Sequence, residues 1–435
     1  MSLFSDDAPG RGGDRDGSDV GGDDGIRGLG DDSQGAEGDA RGSEGASESA
    51  DDDGSRDVGS VRENTNGEDE DFIVTVVPRS RRVGSWLVVA ALVLLLVMAF
   101  TPAPYVIEAP GPVFNTLGQN HAVGSTPTSA DEKKPLIVIK GHKTYATKGS
   151  LDLLTVSEIG NPQRKPNWFE VITAWFSSSR AVIPMGVAFP AGQNVREQNA
   201  ENAQLMTNSQ QDAIAAALNQ LGYDFTQHVV VEQLTDGPAK GVLKVGDEIL
   251  TVNGAQVKGV QSLRDLLKEN GAGTPAAIGI RRDGEKTMVH VTPTTTAGAV
   301  VIGIGAGMEY DFPFTVKIQL SDVGGPSAGQ MFALGIMDKL TPGSLNGGAR
   351  VAGTGTIDSE GNVGAIGGIR QKMYGARQAG ATVFLAPKAN CNEVTGHIPS
   401  GLHVYAVKSL DDSIKVLDAV RTGSSTADLP TCPAS

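Results

Sequence analysis

The sequence predicts a multi-domain α+β chain with a disordered acidic N-terminal tail, one transmembrane helix, and a long region of mixed strands and helices beyond it. Three observations carry that prediction. Charge is concentrated at one end of the 435 residues, and an uncharged run of membrane length follows it. Past that run, short β-prone pieces alternate with stretches of helical spacing and Gly/Pro breaks, and the 435 residues as a whole are long enough for two or three domains.

The tail comes first. Residues 1–71 hold 22 Asp and Glu against six Arg and no Lys, so the net charge of −15 belongs to this segment and the remainder is close to neutral. Rich in Gly, Ser and Asp and nearly free of aromatic residues, residues 1–78 bury too little apolar surface to offset chain entropy and are expected to be disordered. A solvating spacer is the expected role, with an acidic interaction segment as the alternative. No basic stripe with interleaved aromatics occurs anywhere, which argues against a nucleic-acid partner.

The next element is the run "RSRRVGSWLVVAALVLLLVMAFTPAPYV", uncharged from Val83 to Phe100. At about 1.5 Å per residue it just spans a hydrocarbon core of about 30 Å. Arg79, Arg81 and Arg82 precede it and no basic cluster follows, so the positive-inside rule places residues 1–82 in the cytoplasm and everything after Pro102 outside. With some eighty residues before it and no small-x-small cleavage site, residues 83–101 read as a single-pass signal anchor in the cell membrane and not a cleaved signal peptide.

The two cysteines, Cys391 and Cys432, then both fall on the external side, where a disulfide would close the C-terminal tail onto the last domain; two separate thiols are the alternative. His121, His142, His228, His290, His397 and His403 are scattered and no H-E-x-x-H occurs, which argues against a metalloprotease. No metal and no cofactor is expected.

Residues 105–225 mix β-prone pieces ("PLIVIKG", "LDLLTVSEI", "AVIPMGVAF"), an aromatic patch ("NWFEVITAWF") and a helical run from Asn194 to Leu221. No chemistry is legible in them; their strands are candidates to complete a neighbouring sheet. Residues 226–296 read more clearly. "HVVVEQL" is a strand, "LKVGDEILTVNGAQVKGVQSLRDLLKEN" gives strand, Asn-Gly hairpin and amphipathic helix, and "AAIGIRRDGEKTMVHVTP" gives two strands around Asp283-Gly284. This string resembles a PDZ domain, most specifically in "GVLKVGDEILTVNG". The resemblance implies peptide capture by strand addition. The carboxylate-binding loop is expected near Gln227–Val231, which has no Gly-Leu-Gly-Phe pattern.

Within residues 297–422, "SDVGGPSAGQ" sets Ser327 among glycines just before the apolar run "MFALGIMDKL". A serine there is either an N-cap or a nucleophile beside the free N–H groups of a helix start. A nucleophile needs a base. His397 and His403 have no acid placed to orient them, whereas "GTGTIDSEGNVGAIGGIRQK" offers Lys372 in the first turn of a helix from Ile369 to about Gln378. There the helix dipole and burial would lower its pKa; read alone, Lys372 is equally a solvated charge like Arg370 and Arg377.

Taken together, "GGPSAG" and, 45 residues on, "GGIRQK" are similar to the proteolytic domain of Lon proteases, over about Val300 to Val420. The resemblance implies a Ser–Lys dyad with Ser327 as nucleophile and Lys372 as general base, and Thr354 as a supporting hydrogen-bond partner of the lysine. The family's usual Asp before Gly-Pro-Ser is Gly324 here, with Asp322 the nearest acid, and no G-x-x-x-x-G-K-[ST] occurs. Anchor, PDZ and Lon-like domain in that order, with residues 423–435 as a C-terminal tail, resemble the bacterial membrane-anchored PDZ-containing Lon-like serine proteases. That implies an ATP-independent endopeptidase acting on extracytoplasmic protein or peptide substrates, assembled as a homo-oligomer, a hexameric ring in the family. A carboxy-terminal processing protease and a catalytically silent PDZ scaffold at the membrane are the other readings.

Overall fold

The computed structural model describes residues 79–435 apart from 191–194, 297, 321–322 and 434–435. The expected acidic tail and Asp322 lie outside the described residues. The first element is the helix Arg79–Phe100, whose stretch Val83–Phe100 is long and apolar enough to cross a membrane and packs into no core.

Beyond it the described residues build two six-stranded sheets, one mostly parallel and one antiparallel, and three two-stranded ones. The mostly parallel sheet has the order His403–Val407, Val383–Pro387, Arg350–Gly353, Ser150–Ile159, Tyr105–Asn115, Ala181–Pro184. Its first four strands are parallel and its last two pair antiparallel. The parallel strands are apolar on both faces, as a sheet covered by helices on each side requires. Val351, Val383, Leu385, Tyr405 and Val407 point into one core with the helices Val195–Gln220, Gly329–Leu340 and Leu410–Thr422. The alternate residues Ala352, Phe384, Ala386, Val404 and Ala406 point into a second core with the helix Ile369–Gln378. Strand period two thus places one helix of each sequence motif on opposite faces of one sheet.

Residues 105–225 therefore complete the sheet of the last domain. Val351 pairs with Leu151 and Gly353 with Leu153, and the helix Val195–Gln220 packs on Gly329–Leu340. The boundary drawn at 225/297 from the sequence does not bound this folded unit, because its halves come from both sides of the inserted smaller domain.

The antiparallel sheet has the order Ile304–Asp311, Thr226–Leu234, Glu248–Val252, Ala276–Arg282, Glu285–Val291, with the short strand Ala255–Gln256 folded back on Glu248–Val252. The helix Val260–Asn270 buries Leu263 and Leu267 against Val229, Ile249, Ile278 and Ile280. Both expected hairpin turns form with positive φ at each central residue, Asn253-Gly254 (50° and 85°) and Asp283-Gly284 (51° and 84°), the conformation that matches strand twist. Thr226–Leu234 is paired on both sides, so among the described residues the free edge beside the helix Val260–Asn270 is Ile304–Asp311 and not the Gln227–Val231 stretch. The sequence boundary at 296/297 puts this strand in the following segment, because a sequence shows strands but not their neighbours.

Candidate active site

Two helices from opposite faces of the mostly parallel sheet begin at one point, the C-terminal end of the strand Arg350–Gly353. There Ser150–Ile159 continues past its last pair with Gly353 and leaves a gap. Ser327 lies two residues before the helix Gly329–Leu340, whose N-cap is Ala328 with no side-chain cap bond. The N-cap reading of Ser327 therefore does not hold. Its Oγ faces Lys372 instead.

Lys372 Nζ donates to Ser327 Oγ at 2.8 Å and to Thr354 Oγ1 at 3.2 Å. Thr354 Oγ1 donates in turn to the Ser327 carbonyl at 2.9 Å, and Gly355 N donates to the same oxygen at 2.9 Å. With its own proton committed to that carbonyl, Thr354 can only accept from the lysine. A neutral Lys372 then keeps its lone pair for Ser327. Lys372 is 3% exposed and Thr354 fully buried. Burial lowers the Lys372 amine to about 8, and the Glu108 carboxylate opposes part of that shift.

Local sequence explains the placement. Gly368 caps the helix Ile369–Gln378 in the left-handed conformation (φ 67°), and a Cβ there would lie 2.6 Å from Val156 Cγ2. Only glycine brings the lysine helix this close to the sheet. On the serine side the loop is held from the helix Val195–Gln220: Gly325 N donates to Asn202 O at 2.9 Å and Ser209 Oγ to Pro326 O at 2.9 Å.

Ser327 and Lys372 open into a cleft of about 1030 Å³ lined by the segment Leu153–Glu158, Glu108, the Asn120–Glu132 loop, Asn202 and Met206. Glu108 and Glu158 are directly opposite across the strand pair. Burial, then the Glu158 charge, raises the Glu108 carboxyl, and Lys372 acts the other way. Asn202, Ser209, Glu108 and Glu158 were missed in the sequence, since each reaches the site only by pairing across a long separation.

His397 and His403 line no part of this cleft, and Cys391 and Cys432 form a disulfide.

Residues 321–419 match the family model of the Lon protease (S16) C-terminal proteolytic domain. The chain carries a Lon-type proteolytic domain. Residues 192–292 match the PDZ domain model. That match includes the helix Val195–Gln220, which packs with the Lon-type core.

Among curated relatives, Lon protease of Buchnera aphidicola subsp. Schizaphis graminum is 28% identical over 40% of this chain and 21% of its own length. Lon protease of Haemophilus influenzae is 29% identical over 39% of this chain and 20% of its own. Lon protease 2 of Herpetosiphon aurantiacus is 38% identical over 21% of this chain and 11% of its own. The chain thus spans about a fifth of these relatives or less. Among solved structures, the PDZ domain of an SdrC-like protein from Listeria monocytogenes is 26% identical over 18% of this chain and 85% of its own, with a TM-score of 0.17.

The Lon-type domain departs from the family's Asp at Gly324, and packing supplies a reason: a Cβ at Gly324 would lie 2.9 Å from Asn202 Cβ. The helix that braces the serine loop occupies the space a side chain would need.

Proposed function

We propose that the chain is a serine endopeptidase using Ser327 and Lys372, and the observation that carries this reading is the 2.8 Å contact between Lys372 Nζ and Ser327 Oγ inside the cleft. Neutral Lys372 takes the proton of Ser327 as Oγ attacks the scissile carbonyl, then returns it to the leaving amine, and water releases the acyl-enzyme. Gly329 N, Gln330 N and Met331 N already have acceptors in Pro326 O, Gly355 O and Ala328 O. The oxyanion therefore falls to the N–H groups of Ser327 and Ala328, where the helix dipole adds to them. Thr354 orients the lysine.

A substrate in extended form fits the site as an added strand along Leu154–Glu158, where the pairing with Arg350–Gly353 has ended. Peptide capture by the PDZ domain follows the same physics at the Ile304–Asp311 edge. Cleavage in this reading needs no ATP, there being no Walker-type phosphate loop in these 435 residues. The helix Val83–Phe100 anchors the protein, and the Cys391–Cys432 disulfide supports an extracytoplasmic protease domain.

The test is labelling with a serine-reactive fluorophosphonate or β-lactone probe, read by mass spectrometry, alongside cleavage of an unfolded protein with and without ATP. Label on Ser327 and nucleotide-independent cleavage, both lost in Ser327→Ala, are the expected results. No label on a folded, pH-adjusted sample favours the silent scaffold.

A further inference from the structure

A helix at the root of the membrane-spanning segment turns aromatic residues outward. Trp168–Trp175 is well formed, with Asn167 and Glu170 making a complete capping box. Its inward residues Val171 and Ala174 are buried with Ala103 and Ile107, and Trp168 and Trp175 meet the Tyr105 ring edge-on. Large apolar side chains are exposed on its outward face as well, beside the exposed Thr173: Phe169 is 50% exposed, Trp175 57% and Phe176 89%. Phe169 and Phe176 are seven residues apart and share a face with Ile172. The adjoining turn Met185–Ala188 adds Val187, 69% exposed. A helix that meets only water there would carry polar residues.

Its position is set by the anchor. Trp168 N donates to Thr101 O (3.3 Å), Ala103 N to Pro166 O (2.8 Å) and Met185 N to Pro104 O (3.0 Å). All three bonds fall within four residues of Phe100, where the apolar run ends. The headgroup layer extends about 5–7 Å beyond the hydrocarbon on each side, and aromatic side chains favour that layer. Exposed Arg164, Lys165 and Arg180 flank the patch, and Glu170 is the one acid between 161 and 180.

From these observations we propose that Trp168–Trp175 and Met185–Ala188 form a lipid-binding surface that lies in the headgroup region of an anionic bilayer, seating the protease domain on the membrane that Val83–Phe100 enters. The proposal rests on the anchor reading. Continuity with the span and the basic rim select a bilayer over a second copy of the chain as the occupant.

The test uses the full chain in vesicles of phosphatidylcholine and phosphatidylglycerol whose acyl chains are brominated close to the headgroup. The chain has three Trp. Trp86→Phe with Trp168→Phe leaves Trp175 as reporter of the patch, and Trp168→Phe with Trp175→Phe leaves Trp86 as reporter of the anchor. Trp175 emission is expected to fall by about half or more, as for a ring at the interface. Adding Phe169→Ser and Phe176→Ser should relieve that quenching while Trp86 stays quenched, and pure phosphatidylcholine should weaken it. Trp175 unquenched with Trp86 quenched overturns the proposal and leaves the anchor standing; blue-shifted emission in that case points to a second copy covering the patch. Both unquenched overturns the anchor reading and the proposal with it.

Discussion

Lys372 holds an almost fully buried amine at the start of a helix whose dipole disfavours its charge, and both effects lower its affinity for a proton. With its pKa brought down to about 8, activity should rise with pH and level off above about 8. Glu108 is the charge that keeps that value from falling further, so Glu108→Gln should shift the midpoint of kcat/KM against pH downward; an upward shift would contradict the assignment. Stability is linked with a fixed sign. Between about 8 and the ordinary 10.5 the unfolded chain binds the extra proton, so stability should rise with pH across that window; Lys372→Met should reduce the slope in urea titrations, leaving the part contributed by the half-buried Lys339, whose pKa is likewise lowered. Ser327→Ala or Lys372→Met should cost roughly 10³-fold or more in kcat, and Thr354→Val about ten-fold, the worth of one buried hydrogen bond. Steady-state kinetics on a fluorogenic peptide measures both.

At the scale of elements, the helix Val195–Gln220 is the brace of the site. It takes Gly325 N on Asn202 O and gives Ser209 Oγ to Pro326 O, while further along Asn208 Nδ2 donates to Glu232 and Tyr310 Oη donates to Asp212 Oδ1 of the helix. One helix thus holds the serine loop and two strands of the PDZ sheet. Ser209→Ala should lower kcat several-fold with KM little changed, since it frees the loop without touching a substrate surface; Ser209→Thr, which keeps the hydroxyl, should recover part of the loss. Restoring the family residue with Gly324→Asp should lower stability by about 1–3 kcal/mol in denaturant unfolding, because the new side chain must displace Asn202. The helix itself was legible from its Ala and Leu spacing. Its role was not, because Asn202 and Ser209 carry no motif and meet the serine loop over a hundred residues away.

For the whole molecule, the last domain is closed by a covalent bond. Cys391–Cys432 spans 41 residues and fixes the strand-like tail, where Ala406 N donates to Pro430 O at 2.8 Å. Cys432→Ser should cost about 3–4 kcal/mol on the chain-entropy account. Hydrogen exchange should then show residues 424–433 opened, with the dyad still protected. A dyad that opened together with the tail would mean that the bond supports the site directly.

What the sequence determined by itself is local: the apolar run, the two Asn/Asp-Gly hairpins, and the helices that start after "GGPSAG" and "GGIRQK". Each depends on residues within a few positions of one another, where periodicity and turn chemistry act. That Ser327 and Lys372 belong together was legible only through resemblance, because nothing in a 45-residue spacing measures a distance. The tertiary structure decided the rest. Pairing of Arg350–Gly353 with Ser150–Ile159 joins segments some two hundred residues apart, and strand alternation then sends the two motif helices to opposite faces so that their N-termini meet at one sheet end. Glu108, Asn202 and the PDZ edge at Ile304–Asp311 come from the same source: strand neighbours and helix packing are set by long-range burial, which no local stretch of sequence records.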